Sequence, residues 1–198
     1  MSETPVAVKP MTKTRLEAFS DGVIAIIITI MVLELHTPES ASLEGLLHLL
    51  PSLLLYAFSF IYVGIYWANH HHLLHAAQKI NGGTLWANSH LLFWLSLVPF
   101  TTRWMGESNF ATIPTAVYGV SLLMPSIAYS ILVKVLISVN GKDSLVGRAI
   151  GSDFKGYIST ATYIIGLALT FWNSFAGIAC YVVVALIWLV PDRRIERE

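Results

Sequence analysis

Charge is what this chain has least of. Only 12% of its 198 residues are Asp, Glu, Lys or Arg, against 55% hydrophobic. A soluble domain carries roughly 25% charged residues. A soluble fold of this size has nowhere to hide so much apolar surface, because much of any compact surface faces water. A bilayer removes that difficulty by solvating an apolar exterior. Formal net charge is zero, so there is no global basic field and no case for nucleic-acid binding. The single cysteine, Cys180, excludes an internal disulfide.

Missing motifs exclude further classes. The second, fourth, fifth and sixth apolar segments have no Asp or Glu in their middles, so a carboxylate relay of the pump kind is absent. No segment repeats Arg or Lys at every third position, as a voltage sensor does. There is no Thr-Val-Gly-Tyr-Gly carbonyl filter. Walker loops, dinucleotide fingerprints and nucleophile elbows are absent too. A cleavable signal is not expected: Arg15, Glu17 and Asp21 interrupt the first apolar run, which ends in Glu34, His36 and Pro38.

What is present is a series of apolar runs. A spanning helix needs about 20 mostly apolar residues. Six segments are expected: Thr14 to Leu35, Leu49 to His70, Leu85 to Trp104, Ile113 to Val139, Gly156 to Trp172 and Phe175 to Val190. Pro99 falls late in the third and Pro125 in the middle of the fourth, and Asn140-Gly141 closes the fourth. The domain reading is a short cytoplasmic lead over 1–13, one six-helix transmembrane domain over 14–190 and a basic tail over 191–198. Lys9, Lys13 and Arg15 precede the first segment, and Lys79 lies between the second and third. Lys142, Arg148 and Lys155 lie between the fourth and fifth, and Arg193, Arg194 and Arg197 follow the sixth. The positive-inside rule then places both termini in the cytoplasm. The outer loops and helix ends hold Glu34, Glu39, Glu44 and Glu107 against Arg103 alone, an acidic bias that favours cations over anions.

Polar residues within the membrane concentrate in the first segment, the end of the second and the third. In the first, Ala18, Gly22, Ile26, Thr29 and Leu33 recur at spacings of four, four, three and four, which is one helical stripe. Such a stripe is also what an ordinary helix-packing seam looks like. Arg15, Ser20 and Asp21 stand near its cytoplasmic boundary. An unpaired Asp at the bilayer centre costs on the order of 3 kcal/mol, so Asp21 is expected to lie near the interface or to accept hydrogen bonds from Trp67, Asn69 or His70. His90, in the third segment, is expected as a buried polar partner and is a further candidate for that network.

Arg15-x-x-x-Phe19-Ser20-Asp21 resembles the signature of the transmembrane protein 175 family, bacterial and endolysosomal potassium channels. Tyr66-Trp67-x-Asn69-His70-His71 resembles the family's second helix. Leu97-x-Pro99-Phe100-Thr101-Thr102-x-Trp104 resembles its third. The resemblance implies an all-α membrane protein with six helices per subunit, assembled as a homotetramer around a central pore lined by helix one. It implies an apolar constriction at Ile26, outer apolar rings at Leu33 and Ile30, and a hydroxyl layer at Thr29. Arg15, Phe19, Ser20, Asp21, Trp67, Asn69, His70, His71, Pro99 and Phe100 are then structural supports, with Phe100 and Trp104 packing on helix one. The implied partners are the lipid bilayer of a bacterial plasma membrane, further copies of the chain and permeant monovalent cations. Potassium is the permeant ion, and no cofactor or catalytic residue is implied.

The histidines admit another reading. His70, His71, His72 and His75 cluster at the end of the second segment, and His71 and His75 have the i, i+4 spacing of a zinc pair. No Glu follows His71 and no cysteine is near, so a third ligand is wanting. His70 and His71 are expected inside and His72 and His75 at the interface. A membrane-bound metal or haem protein using His70–His75 and a secondary transporter stay as alternatives.

Overall fold

The computed structural model describes residues 12–38, 40–150 and 153–189, with backbone alone at 149 and 150. Residues 1–11 of the expected 1–13 lead, Glu39 and the basic 191–198 tail lie outside the described residues. Eight helices are found among the described residues: α1 (Lys13–Leu33), α2 (Leu43–Ala76), α3 (Gly82–Ser96), α4 (Val98–Glu107), α5 (Thr112–Asn140), α6 (Leu145–Ile150), α7 (Phe154–Thr170) and α8 (Ser174–Leu189).

Their ends follow from local chemistry. Ser42 accepts the Gly45 N–H and starts α2, and Asn81 starts α3 through a reciprocal capping box with Thr84. Asp153 caps α7 through the Gly156 N–H, and Asn173 accepts the Phe175 N–H at the start of α8. Gly141 ends α5 at φ +96°, a conformation that costs a residue with a side chain. Asn140, just before it, holds the α2–α3 connection by accepting from the Gln78 and Lys79 N–H groups.

One expectation is corrected. The third segment is not one helix: it divides at Leu97 into α3 and α4. Pro99 lies in the first turn of α4, where its missing N–H costs nothing, whereas Pro51 and Pro125 are carried inside the continuous helices α2 and α5. The polar stretch after Asn140 contains a short helix, α6, which no apolar pattern announces.

Three described helices, α1, α2 and α5, are long and apolar enough to cross a membrane, and α8 is a shorter apolar helix. At 1.5 Å per residue α1 reaches about 32 Å and α2 about 51 Å, against a hydrocarbon core of about 30 Å. α5 is central, touching α3, α4, α7 and α8, while α1 packs on one side against α2, α3 and α4. A buried hydroxyl ladder fastens α2, α4 and α5: Thr102 donates to Ser59 at 2.8 Å, Ser59 meets the Tyr118 hydroxyl at 2.9 Å, and Thr101 meets Ser121 at 2.8 Å. Each bond satisfies a group that would otherwise be unpaired in an apolar interior. α7 and α8 form a close hairpin in which Gly166 and Gly177 make room for Tyr181 and Thr170.

Candidate functional site: the first helix and its supports

α1 has two faces with the same period. Leu16, Ser20, Ile24, Ile27 and Met31 are buried at spacings of four, four, three and four. Ala18, Gly22, Ile26, Thr29 and Leu33 repeat those spacings two residues later, and every one is exposed. Two residues advance a helix by about 200°, so the second stripe points directly away from the subunit's own core. Ile26 is 58% exposed, Leu33 80% and Ile30 41%. A Cβ added to Gly22 would meet nothing within 4 Å, so packing inside the subunit does not require glycine there. The Thr29 hydroxyl donates to the Ile26 carbonyl at 2.9 Å. Its oxygen lone pairs remain on the exposed face.

The inward face is fixed by a buried polar chain. Ser20 donates to the Leu16 carbonyl at 2.9 Å and accepts from the Asn88 amide at 2.9 Å. Asn88 Oδ1 in turn meets His70 Nε2 at 2.6 Å. All three side chains are buried, so this chain joins α1, α3 and α2. Asn88 was not singled out by any motif; the available signal was a lone amide inside an apolar helix, which must find partners. Next to it, Trp67 Nε1 donates to Asp21 Oδ1 at 3.0 Å, and Lys13 Nζ donates to the His75 carbonyl at 3.2 Å.

Other expected supports are placed differently. Asn69 donates to the Ile65 carbonyl of its own helix at 2.8 Å, and not to Asp21. His90 accepts from Trp94 Nε1 at 2.9 Å and is outside the Asp21 network. His71 is exposed, not interior, because the residue after buried His70 turns about 100° off the core face. It stacks between Trp67 and His75 with ring centroids 6.2 Å from each. Among the described residues no group of three His, Cys, Asp or Glu side chains could hold a metal ion. Arg15 and Phe19 are exposed beside the outward stripe. Pro99 is buried and Phe100 is exposed, its ring 5.9 Å from that of Trp104. Both aromatics border an open groove of about 490 Å³ shared with Ile30 of α1.

At the far end of α1, Arg103 of α4 collects the acidic groups. Its Nη1 meets Glu34 Oε2 at 2.6 Å and its Nε meets Glu107 Oε1 at 2.8 Å. His36 Nδ1 stands 3.3 Å from the same Glu107 oxygen. Glu34 immediately follows the last helical residue, Leu33. The cation therefore offsets two of the carboxylates that the sequence reading counted as an acidic bias.

A helical bundle with an outward apolar stripe and an inward polar lock defines an integral membrane protein. The family model described as the endosomal/lysosomal potassium channel TMEM175 matches residues 15–99. A potassium channel of Chryseobacterium sp. (strain P1-3) is 58% identical over 188 residues, covering 95% of this chain and 98% of that one. A potassium channel of Chamaesiphon minutus is 36% identical over 99 residues, 47% of this chain and 49% of that one. The crystal structure of a lysosomal potassium-selective channel TMEM175 homolog from Chamaesiphon minutus superposes with a TM-score of 0.79 at 28% identity, over 91% of this chain and 97% of that one. The chain belongs to the TMEM175 family, whose named relatives are channels and not enzymes.

Proposed function

We propose that this chain is the subunit of a potassium-permeable cation channel and that the exposed stripe of α1 lines its pore. The carrying observation is the pair of opposed stripes: Ile26, Thr29 and Leu33 are directed away from the subunit at the positions where Ile24, Ile27 and Met31 are directed into it. Branched apolar side chains on that face are left uncovered by the described residues. Several copies arranged about an axis would cover them mutually and enclose a path. Four copies, six crossings per copy (α1, α2, α3 with α4, α5, α7 and α8) and cytoplasmic termini complete the reading, in a bacterial plasma membrane. The lead over 1–13, the domain over 14–190 and the tail over 191–198 follow from it.

In this arrangement Ile26 forms the narrow neck, with Ile30 and Leu33 as further apolar rings. A cation crossing the neck sheds part of its water. Potassium holds that water less tightly than sodium, so its barrier is lower. No carbonyl cage replaces the lost shell, which makes the selectivity modest and the conductance low. The free lone pairs of Thr29 offer oxygen ligands one turn from the neck. Conduction is passive, and potassium is the permeant ion, not a bound cofactor. Arg15, Phe19, Ser20, Asp21, Trp67, Asn69, His70, His71, Pro99 and Phe100 set the rotation and surroundings of α1. The test is potassium and sodium flux into liposomes carrying the wild type or Ile26→Asn. The variant is expected to lose potassium-over-sodium preference; unchanged preference and flux would remove Ile26 from the filter.

A further inference from the structure

Away from α1, a cavity of about 30 Å³ lies between α2, α5, α7 and α8, and no residue of α1 borders it. Roughly 10–15 Å³ already suffices for a water, so there is room for one small polar group. Its wall includes Tyr66, Tyr129 and Trp188 with Asn69, Ser126 and Asp153. The hydrogen bonds decide its polarity. The Tyr129 hydroxyl donates to the Asn69 carbonyl at 3.1 Å, and the Asn69 side-chain amide donates to the Ile65 carbonyl at 2.8 Å. Tyr62, also on the wall, donates to the Leu122 carbonyl at 2.6 Å. These three protons are committed to backbone oxygens, which leaves the lone pairs of the two tyrosine hydroxyls as acceptors on the wall beside its aromatic rings.

Asp153 stands on the same wall. One of its oxygens accepts the Gly156 N–H at 3.1 Å. Ionised, it has acceptor capacity for more. Among the described residues no cation pairs with it within 4.0 Å. Lys155 lies over the Trp188 ring at 5.9 Å from its centroid, which shows that indole receiving a positive group. A space lined by a carboxylate, spare acceptors and aromatic rings, with Lys134 and Lys155 near its edge but outside its lining, favours a positively charged guest.

We propose that this cavity binds a small primary ammonium group, whose three N–H donors face the Asp153 carboxylate and the tyrosine hydroxyl oxygens among the aromatic rings. The site is independent of the conduction reading, since α1 takes no part in it. The amine could come from a soluble compound or from an aminophospholipid headgroup; the chemistry recognised is the same.

The experiment titrates methylammonium into the purified full chain by calorimetry, with acetamide as a neutral probe of similar size. Saturable binding of methylammonium without acetamide binding is expected. Asp153→Asn, which keeps the Gly156 cap, is expected to weaken it at least tenfold. Asp143→Asn, an exposed carboxylate in the same connection, is expected to leave it within twofold, and so is Ile26→Asn. Absence of saturable binding, equal acetamide binding, or an Asp153→Asn affinity within twofold of wild type would overturn the site. Repeating the titration in phosphatidylethanolamine and phosphatidylcholine bilayers assigns the source. Tenfold weaker binding in the former supports a lipid headgroup in the site, and equal binding supports a soluble amine.

Discussion

The Trp67 indole donates its N–H to Asp21 at 3.0 Å, across 46 positions of sequence, and thereby ties the outward edge of α1 to α2. The bond sits at the boundary between the two faces of α1, since Ser20 is buried and Asp21 exposed. It opposes rotation of the helix about its axis, and the direction of the Ile26 stripe depends on that rotation. Asp21→Ala is expected to abolish the intact assembly in native mass spectrometry, and Trp67→Phe to reduce it. A normal assembly with altered selectivity in Asp21→Ala would contradict the supporting role.

The Asn88 amide is the middle of the inward lock. Removing it leaves Ser20 and His70 buried without one partner each, at a cost of roughly 1–3 kcal/mol for each such group. Asn88→Ala is therefore expected to lower the melting temperature of the purified protein by several degrees. Ser20→Ala should cost less, because it removes the partner of only one Asn88 donor. Equal melting of Asn88→Ala and wild type would show that the chain contributes nothing.

Two glycines give opposite expectations. A Cβ on Gly166 would lie 2.8 Å from Cys180 Cβ and from the Tyr181 ring, closer than packed carbon atoms allow, so Gly166→Ala should destabilise the subunit itself by about 1–3 kcal/mol. Gly22 has open space around it, so Gly22→Leu should leave the fold of the subunit intact and weaken the contact between copies. Thermal melting and oligomer mass measured on the same samples separate the two effects.

Burial raises the Asp153 carboxyl above its usual range, and the Gly156 N–H and the charge of Lys134 only partly offset this. The folded chain thus holds a proton that the unfolded chain releases at lower pH. Between the unfolded and the raised folded pKa the native state binds more protons, so stability falls as pH rises through that window. Asp153→Asn keeps the cap and removes the ionisation. It is expected to melt above wild type at neutral pH, with the difference shrinking toward zero on acidification below the unfolded value of about 3.8. A variant that melts below wild type at pH 7 would show that the charge is stabilising there.

Period and punctuation made much of the bundle readable from sequence. The long apolar runs that became α1, α2 and α5 and the Asn173 turn between α7 and α8 are local signals. So is the outward stripe, although its period alone cannot say which of two stripes two residues apart is buried. That is settled by Asn88, 68 positions from Ser20, and by packing on α2, α3 and α4. The break at Leu97 was hidden because Pro99 reads equally as a kink within a helix and as the start of a new one. The Arg103 bridge to Glu34 was hidden because 69 residues separate them; composition counted their charges but could not pair them.

The most direct test of the account is a modification scan of α1. Cysteines are placed one at a time at 24, 26, 27, 29, 31 and 33 in a Cys180→Ala background, and current through reconstituted protein is followed while a charged, water-soluble thiol reagent is added. Block at Ile26→Cys, Thr29→Cys and Leu33→Cys, with no change at Ile24→Cys, Ile27→Cys and Met31→Cys, is the predicted pattern. Block at the second set and none at the first would place the ion path on the other face of α1 and contradict the account.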